Sequence, residues 1–300
     1  MIRAEKLSKY FGANPAVSEV SLHVKKQDIV GLVGPDGAGK TTLIRMICGL
    51  ITPDSGEVSL MDLPPEKINR SKLGYMPQYF SLYGDLSVME NINFFGSMYG
   101  LSQKTIEERA DEVLQITGLF PFKARLAADL SGGMRQKLAL TCSLITRPDI
   151  LILDEPTYGV DPESRKEFWK ILYRLNQEGI TILLSTPYMD EAELCKNIAL
   201  INQGKAVAFS SPTELKSRFP HRILEVRACT KDPYFFNNIP EILDSSFFGY
   251  KYHLIVENVE TGQQAAEAHL SKHNIQKLSI TEIQPSMEDV FVLLTKDTDI

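Results

Sequence analysis

Short, largely apolar runs punctuate the first two thirds of the chain, each closing on glycine, charge or a hydroxyl. Ile29–Val33, Ile150–Leu153 and Thr181–Ser185 have the length of buried strands. Between them lie segments with apolar residues at helical spacing, from Lys40 to about Gly49 and over Pro162–Glu178. Buried strands alternating with helices predict an α/β fold with a mostly parallel, covered sheet. From about residue 87 to 147 the pattern is helical throughout, over Asn91–Gly100, Thr105–Gly118 and Met134–Ile145. That stretch predicts an inserted helical subdomain. The pattern changes near Arg218–His221. Beyond it come a strand (Ile223–Arg227), an aromatic stretch, a strand (Tyr252–Glu257), a helix (Thr261–His273), a strand (Lys277–Ile283) and a helix (Met287–Leu294). Two domains are therefore expected: residues 1–218, and a small C-terminal α+β domain over 219–300.

Composition narrows the function classes. With 43% hydrophobic and 23% charged residues and a mean hydropathy of −0.11, the chain is neither disordered nor fibrous. No stretch approaches the ~18 apolar residues that span a bilayer, and the N-terminal MIRAEKLSKYFG lacks the apolar centre of a secretory signal. Four cysteines with no CxxC spacing argue against a disulfide framework or a zinc site and point to a reducing, cytoplasmic setting. Residues 1–218 carry 25 Lys+Arg against 26 Asp+Glu, and residues 219–300 carry 7 against 12. Neither part has the basic stripe of a nucleic-acid binder, so no nucleic-acid partner is expected.

Three motifs carry the chemistry. Gly34-Pro35-Asp36-Gly37-Ala38-Gly39-Lys40-Thr41-Thr42 follows a strand and opens a helix, the setting of a phosphate-binding loop in a P-loop NTPase. Glycines let the backbone curl so that its N–H groups face a phosphate, and the helix start adds partial positive charge. Lys40 can reach the β- and γ-phosphates, and the Thr41 hydroxyl can ligate Mg²⁺. Asp36 is mildly unfavourable beside an anion and is expected to face solvent. The second motif is Ile150-Leu-Ile-Leu-Asp154-Glu155-Pro156, whose strand delivers Asp154 to the edge beside that loop. Asp154 would hold Mg²⁺ through water, and Glu155 would act as general base on the attacking water. The third, Ser131-Gly132-Gly133, opens another helix and makes a second anion-binding end. One nucleotide rarely needs two such ends, so this one is expected to serve a nucleotide held by another chain.

Together these motifs resemble the ATP-binding subunit of ABC transporters over roughly residues 1–218. The resemblance implies ATP and Mg²⁺ as cofactors and a head-to-tail dimer that sandwiches two ATPs. Phe11, with Tyr10 as the alternative, looks like the aromatic that stacks on adenine. Gln78 looks like the glutamine that senses Mg²⁺ and contacts the membrane partner, and Asp161 like the loop that crosses the dimer interface. Residues 79–100, with Tyr83, Met89, Phe94 and Phe95, would receive a helix of a separate transmembrane permease. The chain would then sit peripherally on the cytoplasmic face of the inner membrane. One element departs from the family: Pro187 stands where a histidine normally contacts the γ-phosphate, and residues 24–220 contain no histidine. Proline has no such donor. It suits position N1 of a helix capped by Thr186. A slow ATP site follows, with a heterodimer favoured over a homodimer because Ser131–Gly133 can still complete a partner's site. The tail Gln284-Pro-Ser-Met-Glu-Asp-Val-Phe291 looks like the C-terminal end of ABC ATPases of the drug- and polysaccharide-export branch. The function expected is therefore the ATPase subunit of a bacterial exporter, possible cargo including drugs. The alternatives are a non-hydrolysing or slow regulatory partner and a soluble ABC-type ATPase outside transport.

Overall fold

The computed structural model describes residues 1–79 and 82–296. The chain divides into two compact units, Met1–Pro212 and Thr213–Ile300. The first begins with antiparallel strands β1 (Ile2–Phe11) and β2 (Asn14–Val24), then β3 (Ile29–Val33), helix α1 (Lys40–Ile47), β4 (Ser55–Leu60) and β5 (Leu73–Met76). Helices α2 (Val88–Met98), α3 (Gln103–Thr117) and α4 (Gly132–Leu144) follow. The unit closes with β6 (Ile150–Asp154), α5 (Pro162–Gln177), β7 (Thr181–Thr186), α6 (Met189–Ala192), β8 (Asn197–Asn202) and β9 (Lys205–Ser210), and α7 (Pro212–Ser217) spans the division.

Six strands form one sheet in the order β5-β6-β7-β3-β8-β9, and all neighbours are parallel except β8 and β9. Every residue of β3, β6 and β7 is buried, which explains why these strands read as nearly continuous apolar runs. Register then decides where the chemistry sits. Val33 lies beside Thr186, and Asp154 lies beside Ser185. Three central strands thus end together, at the carboxyl edge where open α/β sheets bind ligands.

A second sheet, β2-β1-β4, is antiparallel and shares the core of Val30, Leu43, Ile44 and Ile152. Its alternation of buried and exposed positions, clearest over Val20–Val24, is the period-2 signature of a half-buried strand. The helical segment has its own core of Val88, Ile92, Ile106, Leu114 and Leu138. Contrary to the expectation from its pattern, it is not helical throughout. Gly118 ends α3 in the left-handed conformation (φ 74°), and only short 3₁₀ turns at Phe120–Phe122 and Ala127–Asp129 connect to α4.

The second unit holds β10 (Arg222–Ala228), β11 (Asp244–Phe247), β12 (Tyr252–Val256), α8 (Val259–Lys272), β13 (Lys277–Ile283) and α9 (Met287–Lys296). Its strands form an antiparallel sheet in the order β11-β12-β10-β13, with a core of Leu224, Phe236, Tyr252, Leu254 and Ala266. The tail motif has a local structural role here. Ser286 Oγ accepts from the N–H of Asp289, and Asp289 Oδ2 accepts from Ser286 N–H at 2.8 Å, a capping box at the start of α9. Asp289 Oδ1 also bonds Nδ1 of buried His253 on β12, at 3.0 Å.

Burial opposes ionisation of Asp289, but the bonds from His253 and Ser286 outweigh it and hold the carboxyl below its ordinary value of 3.8. A depressed folded-state pKa contributes stability above the unfolded value and loses it as pH falls through the folded one. Asp289→Asn should therefore loosen α9 by about 1–2 kcal/mol at neutral pH. It should also flatten the acid limb of stability below about pH 4. Hydrogen exchange of the α9 amides between about pH 3 and pH 7 measures both effects. Unchanged protection at neutral pH would contradict the clamp.

Candidate nucleotide site

The phosphate loop is shaped by close backbone approaches. Gly39 has φ 101°, and a Cβ there would stand 2.3 Å from the Ala16 carbonyl oxygen. A Cβ at Gly34 would stand 2.1 Å from the carbonyl oxygen of Ile201. Neither position admits a side chain. Helix α1 starts at Lys40 with no side-chain cap, so its first-turn N–H groups, which have no intrahelical acceptor, are not taken up by a capping side chain. Pro35, Asp36 and Gly37 are exposed, and Ala38 is buried beneath them. Lys40 is 3% exposed and folds back: its Nζ donates to Gly34 O at 2.8 Å and Pro35 O at 3.0 Å.

The acidic strand end meets this loop. Glu155 Oε1 lies 3.2 Å from Lys40 Nζ, and Glu155 Oε2 accepts from Gln78 Nε2 at 2.8 Å. Asp154 Oδ1 accepts from Thr41 Oγ1 at 3.1 Å and from Ser185 Oγ at 2.6 Å. Asp154 Oδ2 is buried and has no hydrogen-bond partner among the described residues. A buried carboxylate oxygen without a partner is costly, and one placed beside a hydroxyl suits a hard cation with oxygen ligands. The Mg²⁺ ligand set expected from sequence thus fits at Asp154 and Thr41, whereas Gln78 is engaged with Glu155. Loop residues 36–42 and Gln78, Tyr79, Glu155 and Tyr158 line a cleft of ≈ 360 Å³. Thr42 lines it too, half-buried beside Thr41. The arrangement offers a polyphosphate the Lys40 cation and the loop backbone, with the Glu155 carboxylate alongside and both its oxygens engaged by Lys40 and Gln78.

The ABC transporter family pattern matches residues 17–158, and the pattern described as ATP-binding protein DrrA1-3-like, C-terminal domain, matches residues 211–295. The linearmycin resistance ATP-binding protein LnrL of Bacillus subtilis (strain 168) is 33% identical over 314 residues, covering 99% of both chains. This chain belongs to the ATP-binding proteins of ABC transporters. The probable multidrug ABC transporter ATP-binding protein YbhF of Escherichia coli (strain K12) is 38% identical over 293 residues. That match covers 93% of this chain but 49% of YbhF, so the chain spans about half the length of that relative. The daunorubicin/doxorubicin resistance protein DrrA of Streptomyces peucetius is 33% identical over 308 residues, covering 98% and 92%. Among solved structures, the dimeric post-hydrolysis state of the ATP-binding cassette MJ0796, bound to ADP and Pi, aligns at a TM-score of 0.64 and 26% identity. It covers 70% of this chain and 98% of that one.

Other motif residues of this ABC cassette lie apart from the cleft. Phe11 is 57% exposed and Tyr10 48%, both at the β1–β2 turn, and among the described residues neither lines the cleft. Ser131 caps α4 by accepting from Met134 N–H, and Ser131 and Gly132 are exposed. Gly133 is close to α5, where a Cβ would meet Ser164 Oγ at 2.8 Å. None of the three lines the cleft. Asp161 caps α5 by accepting from Ser164 N–H at 2.9 Å.

Pro187 is not at position N1 of a Thr186-capped helix, which corrects the sequence reading. Helix α6 begins at Met189 after Tyr188, with no side-chain cap. The physical reason is Tyr188, which is extended (ψ 117°) with its N–H bonded back to Thr186 Oγ1 at 3.1 Å, while buried Glu191, 1% exposed, accepts from the Thr186 hydroxyl at 2.7 Å. Glu191 also accepts from Thr157 Oγ1 at 2.8 Å and from Arg165 Nε at 3.0 Å. Arg165 reaches Asp190 with two further bonds and lies over the Tyr188 ring. Nothing in local sequence signals this network, because its members lie 5 to 34 positions apart.

Glu191→Ala should therefore leave Arg165 and two hydroxyls without their shared acceptor. We expect a loss of about 3 kcal/mol in urea unfolding, the usual cost of removing one partner of a buried ion pair. A loss below about 1 kcal/mol would mean the network contributes no net stability.

Proposed function

We propose that this chain is the ATP-hydrolysing subunit of an exporter, bound peripherally to a separate membrane-spanning subunit at the cytoplasmic face of a bacterial membrane. The observation that carries this reading is the end of β6, where Asp154 keeps a buried oxygen without a hydrogen-bond partner and the next residue, Glu155, lines the phosphate-loop cleft. The names of YbhF, LnrL and DrrA support drugs and similar small molecules as cargo. No helix among the described residues is long and apolar enough to cross a membrane, which fits a division of labour between two subunits.

In this reading the loop amides and Lys40 hold the β- and γ-phosphates. Thr41, and Asp154 through water, would hold Mg²⁺, which would offset phosphate charge. Phosphate oxygens are strong acceptors for Lys40, and they draw it away from Glu155. Glu155 is then free to accept a proton from the attacking water, with Gln78 orienting its other oxygen. Phe11, or Tyr10, packs on the adenine. None of Ser131–Gly133 lines the phosphate-loop cleft of its own chain, which supports a composite site in which a second chain supplies the serine–glycine helix end.

A groove of ≈ 400 Å³ lined by Leu50, Tyr75, Phe95, Met98 and Tyr99 supports docking of the membrane subunit near residues 79–100. Tyr83 and Phe94 make an edge contact at 4.6 Å in the same segment, and Met89 packs on the helical core. Phe80 and Ser81 of that segment lie outside the described residues.

Pro187 favours a slow site, since losing one oriented transition-state donor typically costs ~10²–10³ in rate. It also favours an asymmetric pair, in which this chain's Ser131–Gly133 completes a faster site on a different ATPase. A second reading, a regulatory partner that binds ATP without turnover, rests on the same proline.

Two measurements separate these readings. Glu155→Gln keeps the shape but accepts no proton, so ATP should bind while turnover falls by about 10²-fold or more. Equal rates would remove Glu155 as base and leave the regulatory reading. Pro187→His should raise the ATPase rate of the purified chain by about 10-fold or more. No gain, with fast turnover by the unmodified chain, would contradict both the slow site and the asymmetric pair.

A further inference from the structure

We propose that Ser185 is a positioning residue for ATP hydrolysis: its single hydroxyl sets which oxygen of Asp154 faces the cation and pins the backbone of Glu155. The proposal rests on the roles given above to Asp154 and Glu155. Ser185 is fully buried near the end of β7, directly beside Asp154 in the β6–β7 register. Its Oγ makes two bonds whose directions are fixed by chemistry. A carboxylate oxygen only accepts, so the hydroxyl donates its one proton to Asp154 Oδ1 at 2.6 Å. A backbone N–H only donates, so the Ser185 lone pair accepts from Glu155 N–H at 2.9 Å.

Each bond has a separate consequence. At Asp154, the Ser185 and Thr41 hydroxyls both converge on Oδ1, which leaves Oδ2 as the oxygen without a partner. Thr41 is the side chain read as a cation ligand, so Ser185 is the fixed support that orients the carboxylate independently of the metal. Outer partners of this kind tune metal ligands, and losing one typically costs ~10–100-fold in metal affinity or activity. At Glu155, the backbone has φ 49°, a left-handed conformation that is costly for a residue with a side chain and persists only where its surroundings hold it. Two bonds hold it: Glu155 N–H to Ser185 Oγ, and Tyr158 N–H to Glu155 O at 3.1 Å. The carboxylate aimed at Lys40 and Gln78 depends on that backbone. One hydroxyl thus aligns Glu155 with Asp154.

The test uses the full chain with Ser185→Ala, which removes the hydroxyl without adding volume. We expect kcat to fall by about 10–100-fold while KM for ATP stays within about threefold. The Mg²⁺ concentration that half-saturates binding of a fluorescent ATP analogue should rise by about 10-fold. That shift should persist in a Glu155→Gln background, where it cannot reflect turnover. Ser185→Cys keeps a weak donor of similar size and should fall between alanine and wild type, and it carries the comparison if the alanine variant does not fold. An unchanged kcat and Mg²⁺ requirement in Ser185→Ala, or a cysteine variant identical to wild type, would overturn the proposal. So would an equal loss of kcat and ATP affinity, which marks a packing defect. Failure of the underlying reading looks different: Lys40→Ala would then bind the analogue as tightly as wild type, whatever Ser185 does.

Discussion

One buried ion pair organises the site. Lys40 and Glu155 are 3% and 4% exposed and meet at 3.2 Å, so neither charge can be left alone without a cost of several kcal/mol. The pair is tolerable because the remaining hydrogen-bonding capacity is used. Lys40 also donates to two loop carbonyls, and Glu155 also accepts from Gln78. Three chain segments far apart in sequence are thereby bound to one point: the loop after β3, the end of β6, and the segment after β5. A phosphate is the natural competitor for Lys40, since it offers charged acceptor oxygens where the loop carbonyls are neutral. The same contact that stabilises the loop is therefore the one a nucleotide would exchange.

The parallel sheet makes this meeting possible. Residues at the ends of β3, β6 and β7 sit side by side only because the three strands run in one direction and end in register. Behind them, burial on both faces forces apolar sequence, so the strands and the adjacent chemistry were legible together. Gly34, Gly39, Lys40, Asp154 and Glu155 could be read because the backbone path or the charge demands those residue types. The family is equally legible, since the Ser131–Gly133 helix end accompanies the phosphate loop and acidic strand in one chain.

Other features were not legible for physical reasons. Strands β1 and β2 escape a search for apolar runs because one face is exposed and the apolar positions merely alternate, with register shifts along β1. Ser185 reads as the last residue of a strand, and its two bonds depend on which strand lies alongside. Glu191 reads as a surface acid in a charged helix start, yet it is the buried acceptor for three residues. Helix α6 starts later than Pro187 suggests because Tyr188 is extended, with its N–H bonded back to Thr186 Oγ1. In the second unit, Ser286 and Asp289 form a local capping box whose spacing could be read, while their link to His253 could not.

In the proposed composite ATP site, this chain supplies the phosphate loop to one nucleotide and the Ser131–Gly133 helix end to another. Hydrogen exchange on the assembled transporter, with and without a non-hydrolysable ATP analogue and Mg²⁺, addresses it directly. A composite site protects two segments at once, residues 34–42 and residues 131–136, although the second does not line this chain's own cleft. Protection confined to residues 34–42, with exchange at 131–136 unaltered, would contradict it.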